Sequence, residues 1–169
     1  MANAFDGVNH FFIFEIMSKF VFSKRFIRWT KACINSLWIA LLINGRPFEF
    51  FQASQGLRKG YPFSPLLFML LVESLSRKLQ ALQENGKLKG LKFTKGTKAA
   101  THAQFADDTI LLGGDSTVIA ERFNEVMSSF LKASYGKINA LKTKIYGWNY
   151  PKRTMARIAR TLGYEGNTN

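Results

Sequence analysis

Cysteine occurs once in these 169 residues, at position 33, and proline only four times. A single thiol excludes an intrachain disulfide and any cysteine-rich zinc site. Acidic residues are scarce as well: 11 Asp and Glu stand against 24 Lys and Arg, a formal charge of +13. The excess is spread along the chain, with 10 basic and 5 acidic residues in 1–84 and 14 and 6 in 85–169. So basic a chain suits a polyanion, either nucleic acid or an anionic surface. Long apolar runs are also missing. Leu66–Val72 falls far short of the roughly 20 residues a membrane span needs. The opening MANAFDGVNH has neither the basic region nor the apolar stretch of a signal peptide. These absences lead us to expect an intracellular protein of nucleus or cytoplasm, neither secreted nor membrane-bound. What is abundant is apolar: 47% of residues, with 16 phenylalanines, enough for a packed core rather than a disordered tail.

No internal repeat or long low-complexity linker is visible, so residues 1–169 read as a single domain. Val8–Phe20 reads as a helix with Asp6 or Asn9 as its cap, and Lys24–Ser36 as a second. Leu37–Ile43, Asn44-Gly45 and Phe48–Gln52 read as strand, turn and return strand. Ser64-Pro65 should start the strongest helix, Ser as N-cap and Pro at the first helical position. Leu67, Leu71, Leu75, Leu79 and Leu82 form its apolar stripe, and Asn85-Gly86 ends it. Lys87–Lys98 holds five lysines and no acid, a solvated surface or a nucleic-acid contact. Asp115-Ser116 should cap a helix with Ile119, Phe123, Met127 and Phe130 on one face, and Gly136 lies just past its end. Lys142–Trp148 reads as a strand and Pro151–Leu162 as a last helix. Helices and hairpins mixed in this order define an α+β class with a small antiparallel sheet packed on helices.

Between two short apolar runs, in AQFADDTILL, lie Asp107 and Asp108. A pair of carboxylates at a hairpin tip can hold a divalent metal ion for phosphoryl chemistry; the same pair can also be a solvated turn.

Four segments occur in one order: AFDGVN at 4–9, NGRPFEFFQASQGLRKGYPFSPLLF at 44–68, FADDTILL at 105–112 and GKINALKTK at 136–144. The series resembles the reverse transcriptase palm of non-LTR (LINE-type) retrotransposons of the plant kind. The resemblance implies RNA-templated DNA synthesis on an RNA template with a DNA primer and deoxynucleotides, using Mg²⁺ or Mn²⁺. It implies Asp107 as the main metal ligand with Asp108 as partner. It places Phe5 under the incoming sugar, Lys59 and Gly60 at the nucleotide, and Ser64, Pro65, Lys137 and Lys142 along template and primer.

The chain also departs from that pattern. Where the family reads Gln-Gly-Asp-Pro-Leu-Ser-Pro, this sequence reads Lys59-Gly60-Tyr61-Pro62-Phe63-Ser64-Pro65. Lys59 has no acceptor and cannot copy an amide, although it can touch phosphate. The family's first metal-binding aspartate would fall immediately before Met1. The expectation is therefore a palm without its first metal-bearing strand, fingers, thumb or endonuclease, inactive by itself and loosely packed. The rival expectations are a non-catalytic basic nucleic-acid-binding module and a functionless relic.

Overall fold

In a computed structural model, residues 5–36, 38–114, 116–148, 151–164 and the backbone of 166–168 are described. Expectations that rest on Ala4, Leu37 and Asp115 lie outside these residues.

The centre of the molecule is its longest helix. Leu67, Leu71, Leu75 and Leu79 are buried at helical spacing. They drive residues Ser64–Glu84 into a 21-residue helix, α3, roughly 31 Å long at 1.5 Å per residue. Its first half packs against α1, His10–Lys19, through Ile13, Ile16 and Met17. Its second half packs against α4, Thr117–Ser134, through Phe123, Val126, Met127 and Phe130. One helix thus joins two apolar clusters, and Phe12 meets Phe130 edge-on at 6.1 Å where they touch. Asn9 caps α1 by accepting from the Phe11 amide, while its side-chain amide donates to the Ala133 carbonyl at the end of α4. A capping residue thereby ties two elements together, and Asp6 plays no such part.

The α2 helix, Lys24–Asn35, starts at its Ser23 cap and is followed by a hairpin of β1, Trp38–Ile43, and β2, Arg46–Gln52. Asn44 and Gly45 both have positive φ, as the tight hairpin turn requires. The second hairpin, β3 His102–Phe105 and β4 Asp108–Leu111, is antiparallel with Phe105 opposite Asp108. A short strand β5, Ile145–Gly147, pairs in parallel with β6, Gly166–Thr168, around helix α5, Lys152–Leu162. The architecture is α+β, as expected, but its antiparallel ladders are two separate hairpins rather than one sheet among the described residues.

Two local expectations are corrected. Ser64 is not the cap of α3: Phe63 occupies that position without a side-chain bond. The Ser64 hydroxyl instead donates back to the Arg58 carbonyl at 2.6 Å, inside the preceding loop. The strand expected over 142–148 shrinks to Ile145–Gly147. The Asn139 side chain accepts from the Leu141 and Lys142 amides and holds that stretch in a turn. Gly136 lies just past the end of α4, as expected, after the left-handed Tyr135.

Candidate active site

Gly56 fixes the first part of the site. Its φ is +89°, and a Cβ there would lie 2.7 Å from the Asp6 carbonyl oxygen. Only glycine lets the 55–58 loop approach the 5–8 segment so closely. The Gly56 amide donates to the Val8 carbonyl at 2.8 Å and the Leu57 amide to the Phe5 carbonyl at 2.7 Å. Buried His10 closes the arrangement, its Nε2–H donating to the Gly56 carbonyl at 2.6 Å. A carbonyl can only accept, so this contact assigns the proton to Nε2.

This seam sets the neighbouring candidates. The Phe5 ring is half-buried and stacks on Phe68 with centroids 4.9 Å apart, a contact worth about 0.5–1.5 kcal/mol beyond burial. Lys59 pairs with Asp6 at 2.9 Å, both side chains largely exposed. Pairs of this kind contribute about 0.2–1 kcal/mol, so a more highly charged anion can displace the carboxylate from Lys59. Gly60 has φ +78° in the same loop, and exposed Pro65 follows Ser64 in the first turn of α3. Tyr61 faces Cys33 of α2, whose hydrogen bond and charge push the phenol pKa upward.

The other part of the site is the β3–β4 hairpin. Its two-residue turn is Ala106-Asp107, and Ala106 has φ +51°. A positive φ at the first central position only is the φ pattern of a type II′ turn, whose twist suits a tight hairpin. Asp107 and Asp108 are exposed at this tip. Behind the tip, His102 and Gln104 are half-buried, and Phe105 and Ile110 face outward, 84% and 59% exposed. His102 holds the hairpin to α3: its Nε2 lies 2.8 Å from the Ser76 hydroxyl and its Nδ1 3.0 Å from that of Thr101. Burial lowers the His102 pKa, with the Glu73 charge acting the other way. A neutral ring between two hydroxyls satisfies both nitrogens, since a hydroxyl can donate or accept.

Lys137 lines a cleft of about 690 Å³ together with Asp6, Gly7, Phe68 and Tyr135. Lys142 is exposed in the 140–142 turn. The structure therefore gathers Phe5, Lys59, Gly60 and Ser64 around the Gly56 seam and brings Lys137 to the edge of the Asp6 cleft. The two aspartates belong to a different element. The His10, Asp6 and His102 contacts were not foreseen from sequence. A histidine on the inner side of α1 was the one available signal for the first.

Among the described residues, no three His, Cys, Asp or Glu side chains gather as a metal-holding group. The hairpin tip does supply two adjacent hard carboxylates. Mg²⁺ is commonly held by one or two carboxylates, completed by water and substrate phosphates. The donor set fits that mode, in which nucleotide phosphate completes the shell.

The chain is α+β, with paired aspartates on a tight hairpin clasped to the long helix at Ser76 and a glycine-dependent loop leading into the start of that helix. Residues 1–165 match the family Reverse transcriptase (RNA-dependent DNA polymerase), and the chain belongs to that family. It is 40% identical over 72 residues to an uncharacterized mitochondrial protein of Arabidopsis thaliana, covering 43% of this chain and 59% of that protein. It is 27% identical over 140 residues to a transposon TX1 protein of Xenopus laevis, covering 83% of this chain and 10% of the relative. A Pol polyprotein from the type-1 retrotransposable element R2 of Popillia japonica is 29% identical over 109 residues, 64% of this chain and 17% of the relative. The chain spans less than two thirds of the length of each. The family match and these relatives together support a reverse transcriptase of a non-LTR retrotransposon. No helix among the described residues is long and apolar enough to cross a membrane.

Proposed function

We propose that this chain contributes the metal- and nucleotide-holding region for RNA-directed DNA synthesis, in nucleus or cytoplasm. The observation that carries the reading is the β3–β4 turn, which holds Asp107 and Asp108 exposed side by side in a member of this family. Asp107 and Asp108 would hold Mg²⁺ or Mn²⁺. Bound there, the ion would offset triphosphate charge and favour loss of the proton from the attacking primer hydroxyl. The chain's own residues do the positioning. Lys59 exchanges Asp6 for a phosphate oxygen. Phe5, braced by Phe68, lies beneath the deoxynucleotide sugar. Gly60, Ser64 and Pro65 shape the loop beside the template, and Lys137 and Lys142 contact the backbone of template and primer.

Two carboxylates carry too little charge to offset two cations held close together. The 169-residue polypeptide by itself is therefore expected to bind a poly(rA)–oligo(dT) hybrid without extending it. With about six phosphates neutralised, log K should fall with log salt at a slope of about −4 to −5. Neutralising the exposed Lys87, Lys89, Lys92, Lys95 and Lys98 together should flatten the slope. Extension abolished by Asp107→Ala would show a complete site and overturn the inactive assignment. Absence of any binding would overturn the reading as a whole.

A further inference from the structure

The surface of α2 is unlike the rest of the molecule, and no part of the site described above uses it. The helix reads KRFIRWTKACIN, with four cations and no acid. Its apolar side is already occupied. Phe26 and Ile27 pack against the first core cluster, Phe26 meets Phe63 edge-on at 6.2 Å, and Thr30 is buried. The outer side carries Lys24, Arg28 and Lys31 in one row at i, i+4 and i+7. Beside it Arg25 and Trp29 form a second row, and all five residues are exposed. Arg28 lies about 6 Å along the axis from Lys24, and Lys31 about 10 Å. Among the described residues none of these cations takes part in an ion pair. Trp29 is 51% exposed, and the Arg25 guanidinium lies 4.7 Å from its ring centroid.

From this surface we infer that the outer face of α2 binds single-stranded RNA or DNA, with Trp29 as a stacking platform for a base and Arg25, Arg28 and Lys24 on the flanking phosphates. Two observations select this occupant. The first is charge: a row of unpaired cations answers a row of phosphates. The second is the lone aromatic. A half-exposed indole under a guanidinium offers a flat π-face with cations at its side, the combination that binds single strands without reading sequence. A lipid surface fits less well, because an interfacial helix keeps its apolar face for the membrane. In α2 that face is spent on the core, and Trp29 is its one large hydrophobic side chain that stays exposed. The last turn of α2 also borders the loop of the active-site seam. Cys33 and Ser36 share a cleft of about 100 Å³ with Arg58 and Tyr61. A strand lying on α2 would therefore lead toward Arg58 and Lys59. The inference rests on the nucleic-acid reading above and adds a surface to it.

The test uses the full chain with Trp38→Phe and Trp148→Phe, so that Trp29 is the sole indole. Oligo(dT) and poly(rU) should quench its emission strongly and release it as salt rises. A blunt DNA duplex should bind with little quenching, because its bases are already stacked. Trp29→Ala should weaken single-strand binding by about five- to a hundredfold. Arg25→Ala with Arg28→Ala, both at exposed positions, should lower the magnitude of the single-strand salt slope by about 1.4. Binding with unchanged Trp29 emission and unchanged slope would overturn the inference and leave the reverse transcriptase reading standing. Loss of all nucleic-acid binding in the chain with Trp29 intact would overturn both. Quenching by phosphatidylserine vesicles but not by oligonucleotides would overturn it in favour of a membrane surface.

Discussion

At the scale of single residues, the site depends on contacts that sequence types alone do not announce. Gly56 is the clearest case. Its positive φ and its 2.7 Å approach to the Asp6 carbonyl leave no room for a side chain. Gly56→Ala should cost about 2–4 kcal/mol, from left-handed strain together with a backbone clash. Urea melts at constant protein concentration would measure it, and a change within 0.5 kcal/mol would show that the seam yields. His102 makes a pH prediction. Burial sets its folded pKa below the ordinary value of 6.5, so the unfolded chain takes up the proton first. Stability is then fully present above the unfolded pKa and falls as pH drops below it and through the lowered folded value. Between about pH 7.5 and 5, the wild-type chain should lose more Tm than His102→Gln, which lacks this one group and is otherwise the same chain. Equal losses would remove His102 from the account.

At the scale of elements, legibility followed packing. The leucine stripe of α3 and the aromatic stripe of α4 were readable because both helices bury one face along their whole length. The Asn-Gly turn of β1–β2 was readable because few residue pairs accept two positive φ values in succession. The FADD hairpin was legible as a two-carboxylate turn, but its anchorage through Ser76 was not, since that contact spans 26 residues. The start of the 142–148 strand and the start of α3 were misread because side chains of Asn139 and Ser64 bond backbone locally. Such bonds compete with regular structure without altering hydrophobic pattern. The β1–β2 hairpin is the largest departure. A run such as WIALLI ordinarily signals a strand buried on both faces. Here Trp38, Leu41, Leu42, Ile43, Phe48, Phe50 and Phe51 are all exposed. An exposed apolar hairpin of this kind is an aggregation template. Leu42→Lys with Phe50→Lys should therefore raise the concentration at which light scattering appears, while moving stability by no more than about 0.5 kcal/mol per site. A loss of several kcal/mol would mean that the hairpin is buried in solution.

At the scale of the whole molecule, charge and chemistry occupy different places. Many of the cations lie in the exposed lysine segment of 87–98, on α2 and on α5, where Arg153, Arg157 and Arg160 are exposed. Asp107 and Asp108 sit on one small hairpin clasped to the central helix. Family membership was legible because the four segments keep their order. The clasp of His102 on Ser76 was not, because only the folded chain brings those two residues together. The account stands or falls on whether the hairpin tip takes a divalent ion together with nucleotide. The most direct measurement is Mn²⁺-induced broadening of backbone amide NMR signals, with and without dTTP. The account predicts selective broadening at Ala106–Thr109, strengthened by dTTP and absent in the chain carrying Asp107→Asn and Asp108→Asn. Broadening that ignores this turn, or that persists unchanged in the double variant, would contradict it.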